Sequence, residues 1–136
     1  MSKNIAKFFN LPSIDDSRGS LVPVETVGTL PFDVKRIYYL FETDNMAKRG
    51  FHAHKKLQQF MVCVSGECEI ILDNGRIREN VILNDPRKGI LIGNYLWREI
   101  ISFSTQCVLL VFADQHFDES DYIRDYGTFL DFVSKV

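Results

Sequence analysis

Short apolar segments separated by turn residues recur along most of the chain. Between Ser20 and Ala113 these segments are rich in Val, Ile, Leu, Tyr and Phe, and a turn signal follows about every 8 to 12 residues. This spacing is typical of an all-β sandwich or barrel, because no helix-length pattern with a 3.6-residue period interrupts it. It predicts strands at residues 21–27, 34–42, 49–54, 59–64, 67–72, 76–83, 89–92, 98–103 and 107–113.

Two connections in this region contain turn-forming residues. Asn74-Gly75 separates two alternating segments and supplies the two positive-φ positions of a type I′ turn, so it predicts a β-hairpin with a fixed register. Ser65-Gly66 predicts a second tight connection, between the segments at 59–64 and 67–72.

After Ala113 the pattern becomes helical. Residues 118–136 place apolar side chains at helix-like spacings, with Asp118 or Ser120 as the N-cap. The pattern predicts a short C-terminal α-helical segment, in one piece or in two pieces broken near Gly127, that packs on the barrel. The apolar residues concerned are Tyr122, Tyr126, Phe129, Leu130 and Val133.

Length and charge narrow the class of protein. The chain has 136 residues, the size of one ordinary domain, so we expect a single domain over residues 1–136 with the barrel at about 20–113. Its 46% apolar residues and eleven Phe suffice for a core and exclude a mainly disordered chain. Lys and Arg total 16 against 18 Asp and Glu, and the net charge of −2 disfavours a nucleic-acid partner.

The remaining composition bears on location. The longest apolar run, residues 107–113, is far shorter than the roughly 20 residues that a membrane-spanning helix needs. The N-terminal residues lack the apolar stretch and cleavage site of a secretory signal, so we expect a cytoplasmic protein without a membrane partner. Cys63, Cys68 and Cys107 form no CxxC pair, and we expect them to be reduced, mostly buried thiols.

His52 and His54 are the strongest candidates for chemistry. They are two residues apart in the segment RGFHAHK at residues 49–55, so on a strand both imidazoles project from the same face. Two of the three histidines then lie close enough to act on one ligand. The spacing alone also allows two surface histidines on an exposed sheet face.

The residues around this pair resemble the first motif of the cupin family, in which His-x-His is followed by a Glu and then a Gly. Here Gln59 and Gly66 follow at matching distances, so the spacing is kept and the acid is not. Arg98 occupies the position of the last metal-binding His in the second motif. The residues similar to that second motif are Pro86, Gly89, Gly93, Trp97 and Arg98.

Gln59 and Arg98 disfavour a metal cofactor. A metal site needs neutral imidazoles and usually a carboxylate, whereas Gln is a weak ligand and Arg is a permanent cation that would repel Zn²⁺ or Fe²⁺. We therefore expect neither a metal nor another cofactor. The remaining side chains suit acid–base chemistry on an anionic, oxygen-rich substrate.

Over nearly its whole length the chain also resembles a narrower group of cupins, the bacterial nucleotide-sugar 3,4-ketoisomerases that act on dTDP-4-keto-6-deoxyglucose. The block RGFHAHKKL at residues 49–57 is its most specific part. The resemblance implies a cupin barrel, which is a jelly roll or double-stranded β-helix, and a homodimer without metal. It also implies the conversion of a 4-keto sugar into a 3-keto sugar in deoxysugar biosynthesis. The other matching stretches are DSRGS at 16–20, KRIYYLF at 35–41, Gly93-x-x-x-Trp97 and DESDYIR at 118–124.

The same resemblance implies roles for individual residues. His52 is the base at carbon, His54 is the acid–base group at oxygen, and the Tyr38 hydroxyl hydrogen-bonds a developing oxyanion. Guanidinium groups fit the diphosphate of dTDP, and Trp97 offers a flat contact for thymine. Among the arginines, Arg124 matches a family position at the active site. The other candidates for substrate binding are Arg18, Arg36, Arg49 and Arg98, and the sequence leaves a solvated surface role open for each.

Several points stay open at this level. The sequence does not give the configuration at C4 of the product, for which Arg18 and Arg98 are the suspected determinants. A related deoxysugar 3,5-epimerase would use histidine chemistry on the same substrate, although the His-Ala-His block argues against it. A non-catalytic sugar-nucleotide-binding cupin would not require His52, His54 and Tyr38 in one pocket. A metal-dependent cupin dioxygenase is weakened by Gln59 and Arg98.

Overall fold

Twelve strands, one 3₁₀ turn and one helix form the part of the chain that the computed structural model describes, residues 5–135. Strands that are neighbours in a sheet pair in antiparallel ladders throughout. The strands are β1 (Lys7–Asn10), β2 (Ile14–Asp16), β3 (Gly19–Leu21), β4 (Arg36–Leu40), β5 (Arg49–His54), β6 (Gln59–Ser65), β7 (Cys68–Asp73), β8 (Arg78–Leu83), β9 (Lys88–Ile92), β10 (Trp97–Phe103), β11 (Val108–Ala113) and β12 (Tyr122–Ile123). The 3₁₀ turn is Glu119–Asp121 and the helix, α1, is Tyr126–Val133.

The chain passes back and forth between two five-stranded sheets. One sheet has the order β1-β9-β6-β11-β4 and the other has the order β12-β5-β10-β7-β8, while β2 and β3 form a separate hairpin. From β4 to β12 nearly every connection crosses from one sheet to the other. This alternation is the topology of the jelly roll that the sequence resemblance implied.

The main core lies between the two sheets. Strand β6 is buried along its first five residues, because the inner face packs against the opposite sheet and the outer face is covered as well. Met61, Ile90 and Leu109 of the first sheet meet Ile70 and Ile100 of the second sheet. Removing an apolar side chain of this kind from water contributes about 1.5–3 kcal/mol.

Two smaller cores cover the outer faces. Residues of the N-terminal segment, including Leu11 and Leu30, pack on Phe60 and Phe112 of the first sheet. On the second sheet, Phe129 of α1 packs with a cluster consisting of Ala53, Trp97 and Ile123. The outer side of β5 is therefore apolar and occupied, which directs its alternate residues, His52 and His54, to the opposite face.

The predicted strands between residues 34 and 113 are confirmed, with differences of one or two residues at their ends. The predicted strand at 21–27 is wrong, because β3 ends at Leu21 and a proline at position 23 cannot donate a ladder hydrogen bond. The Asn74-Gly75 hairpin is confirmed between β7 and β8, but only Gly75 has a positive φ, of 94°. Asn74 instead accepts hydrogen bonds from Arg76 N and Ile77 N through its side chain.

The C-terminal segment is more divided than the sequence pattern predicts. Asp118 caps the 3₁₀ turn through a bond from Ser120 N, so Ser120 is not the cap. The chain then pairs with β5 as β12, and a second cap, Asp125, begins α1 by accepting a hydrogen bond from Thr128 N. The break precedes Gly127, which lies inside the helix. No helix in the described residues is long and apolar enough to cross a membrane.

Candidate active site

The histidine pair lies on β5 at one end of the barrel. Strand β5 contains a bulge, since His52 pairs with Arg98 and Gly50 pairs with the next residue of β10, Glu99. Phe51 is the extra residue and has a φ of 58°, next to Gly50 at 86°. The ring centroids of His52 and His54 are 4.8 Å apart and their planes are nearly perpendicular. The structure thus brings the two imidazoles together, as their spacing predicts.

His54 is held by a buried carboxylate. Its side chain is 1% exposed, and its Nδ1 lies 3.1 Å from Oδ2 of Asp121 at the end of the 3₁₀ turn. Asp121 also accepts hydrogen bonds from Lys56 N at 2.8 Å and Leu57 N at 3.2 Å. Because a carboxylate only accepts, Nδ1 carries the proton and Nε2 has the lone pair. His54 Nε2 is buried and has no partner in the described chain.

His52 is oriented by its own strand. Its Nδ1 donates to the carbonyl oxygen of Gly50 at 3.0 Å, so its lone pair is also on Nε2. Burial, and secondarily the positive charge of Arg98, lower the pKa of His52 to about 4. The same two causes lower the pKa of His54 well below its ordinary value. Both imidazoles are therefore neutral near pH 7 and can accept a proton.

A hydrogen-bonded chain connects Tyr38 to the interior of the barrel. Gln59 Nε2 donates to the Tyr38 hydroxyl oxygen at 3.0 Å, and Arg98 donates to Gln59 Oε1 at 2.6 Å. Burial raises the pKa of Tyr38, so the hydroxyl keeps its proton. In this hydrogen bond Gln59 donates and the Tyr38 oxygen accepts. The hydroxyl proton of Tyr38 is therefore available for a substrate oxygen.

Arg98 is buried as a cation. Its guanidinium also donates to the carbonyl oxygen of Leu96, from Nε at 3.2 Å and from a terminal nitrogen at 2.8 Å. Burial lowers the pKa of Arg98 to about 10, which leaves it charged near pH 7. Gln59 therefore offers its oxygen to a guanidinium, and these two residues do not provide ligands that suit a divalent metal.

The two histidines border neighbouring spaces. A cavity of about 120 Å³ inside the barrel is lined by His52, Tyr38, Gln59, Arg98 and Arg49, together with apolar residues. A wider cleft of about 310 Å³ is lined by residues that include His54, Arg36, Lys56, His116, Asp121 and Tyr122. The two rings lie between a small space inside the barrel and a wider cleft lined by both cationic and carboxylate side chains.

Tyr122 joins the parts of the site. It pairs with His54 across the β5–β12 ladder, and its ring centroid lies 4.9 Å from His52 and 4.3 Å from His54. The Arg124 guanidinium stacks over the same ring at 4.2 Å and forms a two-pronged ion pair with Glu119 at 3.0 and 2.9 Å. Arg124 therefore lies on the side of Tyr122 next to a third cleft, shared with Lys55 and Glu119, and lines neither histidine space.

Arg36 is the arginine that lines the wider cleft together with His54. Its guanidinium lies 5.4 Å from the ring centroid of Tyr38 and 5.7 Å from that of Phe117. Its Nε is buried without a hydrogen-bond partner in the described residues. A donor left unpaired in this way is available for an anionic group of a ligand.

Two predicted residues lie elsewhere. Trp97 is buried against α1, with ring centroids 5.2 Å from Tyr126 and 5.6 Å from Phe129, so within one chain it occupies a core position and lines neither histidine space. Arg18 lies in the β2–β3 hairpin, where its side chain is 89% exposed and pairs with Asp16. Within one chain Arg18 does not line either histidine space.

Three members of the site were missed or undervalued by the sequence. Asp121 and Tyr122 lie in a stretch whose sequence pattern is helical. Gln59 was considered only because it stands where the cupin motif has a metal-binding Glu. The contact between His54 and Asp121 joins residues 67 positions apart. The one available signal was the DESDYIR stretch at 118–124, which contains both Asp121 and Tyr122.

Comparison with known proteins identifies the family. The family model described as "FdtA: WxcM-like, C-terminal" matches residues 4–134. This chain belongs to that family. It is 45% identical over 130 residues to a TDP-4-oxo-6-deoxy-α-D-glucose 3,4-oxoisomerase of Aneurinibacillus thermoaerophilus, covering 96% of this chain and 94% of that protein. The resemblance to 3,4-ketoisomerases found in the sequence is confirmed.

Solved structures support the same relationship. QdtA, a sugar 3,4-ketoisomerase from Thermoanaerobacterium thermosaccharolyticum solved in complex with TDP, is 40% identical with a TM-score of 0.93, covering 96% of this chain and 95% of that one. The TDP-quinovose 3,4-ketoisomerase WlaRB of Campylobacter jejuni is 45% identical with a TM-score of 0.89, covering 93% and 98%. The expected all-β cupin-like fold with a short C-terminal helix is confirmed.

Proposed function

We propose that this chain is a TDP-sugar 3,4-ketoisomerase that moves the carbonyl of TDP-4-keto-6-deoxyglucose from C4 to C3, without a metal. The observation that supports the mechanism is the arrangement of His52 and His54. Both imidazoles are neutral, both have Nδ1 engaged with an acceptor, and both have Nε2 left for proton transfer. The 45% identical relative has this activity in its name.

The reaction needs groups that move protons at both carbon and oxygen. Removal of the C3 proton leaves an electron pair that forms the C3–C4 double bond, and negative charge develops on O4. Protonation of O4, loss of the O3 proton and protonation of C4 then give the 3-keto product. Positioned acid–base groups of this kind accelerate such steps by about 10²–10⁴-fold each.

His52 is the base at C3 in this proposal, because it shares the inner cavity with the Tyr38 hydroxyl and Arg98. The Tyr38 proton is positioned for the oxygen on which charge develops, and buried Arg98 favours that charge. His54 exchanges protons with O3 and O4 through Nε2. Asp121 holds the tautomer of His54 that this role requires.

The cationic side of the cleft is proposed to bind the diphosphate. Arg36 has an unpaired buried Nε there, and Lys56 and His116 line the same space. Arg124, stacked over Tyr122, contributes a second guanidinium after release of Glu119. Guanidinium groups bind phosphate oxygens through two parallel hydrogen bonds, which fixes the nucleotide and thus the sugar.

Proton NMR of TDP-4-keto-6-deoxyglucose with the protein in D₂O tests the reaction. A ketoisomerase moves the carbonyl to C3, so the C3–H signal of the substrate disappears and the new C4 position carries deuterium. An epimerase keeps the carbonyl at C4 while C3 and C5 exchange with deuterium, and a non-catalytic binder gives no exchange. Either of the last two patterns contradicts the proposal.

A homodimer is part of the proposal. Strand β4 is the edge of its sheet, and Ile37, Tyr39 and Phe41 on or next to it are 55–60% exposed along one face. An exposed edge with an apolar row is a surface that pairs with another chain unless it is covered. Light scattering should give about twice 15.7 kDa, and Ile37→Lys should lower the mass. Ile82→Lys, which alters an exposed Ile on β8, should not.

A cytoplasmic location also belongs to the proposal. The three free, buried cysteines are consistent with a reducing compartment, where disulfides rarely persist.

A further inference from the structure

The three cysteines of the chain meet inside the barrel, far from the histidines. Cys63 lies near the end of β6, Cys68 begins β7, and Cys107 directly precedes β11. Cys68 pairs with Phe103, at the other end of β10 from Arg98. Five residues of strand separate the two positions on β10, about 16 Å at 3.3 Å per residue. The cluster is therefore distinct from the candidate active site.

The sulfur atoms are already close to metal-binding geometry. All three Sγ atoms lie within 4.8 Å of one another, and Cys63 and Cys107 are 3.6 Å apart. Metal–sulfur bonds of about 2.3 Å place the sulfurs of a trigonal or tetrahedral site roughly 3.8–4.0 Å apart. The three cysteines have no disulfide, so small side-chain rotations suffice to reach this spacing.

The surroundings select the kind of ion. No imidazole or carboxylate joins the group among the described residues, and the walls belong to the apolar core. A site with sulfur ligands alone favours soft ions such as Cu⁺, Zn²⁺ or Cd²⁺ over Mg²⁺ or Ca²⁺.

We propose that Cys63, Cys68 and Cys107 form a three-sulfur site for a soft d¹⁰ metal ion, separate from the histidine site. Binding displaces the thiol protons and joins β6, β7 and the start of β11 through the ion. The way in is the exposed corner at Ser65 and Gly66, where Gly66 packs next to the backbone of Cys107. The Cys63 thiol hydrogen-bonds the Ser65 carbonyl at 3.1 Å, which connects the cluster to this corner.

Titration of the reduced, full-length protein with Cd²⁺ tests the site. The ultraviolet charge-transfer band of cadmium thiolates should rise and saturate at one ion per chain, with release of protons and a higher melting temperature. Since the chain has three cysteines in all, this band can come from no other residues. Mg²⁺ should produce neither change.

Variants separate this site from the active site. Cys63→Ala should weaken Cd²⁺ binding by more than about 100-fold, whereas His52→Asn should leave the band and its stoichiometry unchanged. If Cys63→Ala does not fold, the test rests on the wild-type protein, which should bind one Cd²⁺ per chain and melt at a higher temperature with Cd²⁺ than without it. Absence of the band, an equal band in folded Cys63→Ala, or saturation at one ion per two chains would overturn the proposal.

Discussion

Replacing Asp121 with Asn should separate proton transfer at oxygen from proton transfer at carbon. The shortest hydrogen bond to Asp121 comes from Lys56 N at 2.8 Å. The single oxygen of an asparagine side chain should therefore stay in this hydrogen bond with Lys56 N. The new NH₂ group then faces His54 Nδ1 and Leu57 N. His54 must accept at Nδ1 and carry its proton on Nε2, so it loses the lone pair that the reaction needs.

The size of the effect follows from these contacts. A histidine held in the wrong tautomer loses its contribution as a proton acceptor, which is about 10²–10⁴-fold in turnover. Leu57 N faces a donor instead of an acceptor in a buried position, which costs about 1–3 kcal/mol of unfolding free energy. His52 keeps its hydrogen bond to Gly50, so exchange of the C3 proton should continue.

The assay measures product formation and deuterium wash-in at C3 in the same D₂O sample. We expect Asp121→Asn to lower product formation strongly while C3 exchange stays near the wild-type rate. Asp118→Asn is the matched control, because it alters the cap of the same 3₁₀ turn without touching His54. Normal turnover by folded Asp121→Asn, or equal loss of both signals, would refute the assigned role of Asp121.

Four further results are expected. His52→Asn should lower turnover by about 10²–10⁴-fold with sugar-nucleotide binding nearly intact by calorimetry, and His54→Asn should retain more C3 exchange than His52→Asn does. Arg124→Ala should weaken the binding of TDP that carries no sugar, because its proposed partner is a phosphate group that changes little during the reaction. Activity should survive EDTA, and elemental analysis should find no metal that activity requires. Stability measured by thermal melts should fall as the pH drops from 6.5 towards 4, because the unfolded chain then binds protons that folded His52 does not, and His52→Asn should reduce this fall.

The sequence pattern located the strands that have a strong apolar pattern and missed the short strands that have none. Strands β5 to β11 carry period-two apolar positions or continuous apolar runs, which is why their bounds were predictable. Strand β1 has four mostly exposed residues at a sheet edge, and β12 has only two. Such strands exist because a neighbouring strand has free hydrogen-bonding groups, which is a property of the tertiary fold rather than of the local sequence.

The site was predictable where its members are neighbours in sequence. His52 and His54 share a face because of their spacing, and the family resemblance supplied Tyr38. The partners that set their chemistry come from distant positions: Asp121 is 67 residues from His54, and Arg98 is 39 residues from Gln59. No local pattern connects such pairs, so their hydrogen bonds appear only in the structure.

Arg98 explains how the cupin interior works on a keto sugar with the ligands of a metal site altered. Burial lowers the pKa of both histidine rings, and the buried cation of Arg98 lowers it further, so both rings stay neutral and able to accept protons near pH 7. Through Gln59 the same cation is connected to Tyr38, which we propose as the donor for the oxygen on which charge develops. Stabilising an enolate-like charge is the task of a Lewis acid in metal-dependent enzymes. In the proposed mechanism the guanidinium of Arg98 and the phenol of Tyr38 take that role, so a neutral residue at position 98 should raise the pKa of both histidines and weaken oxyanion stabilisation together.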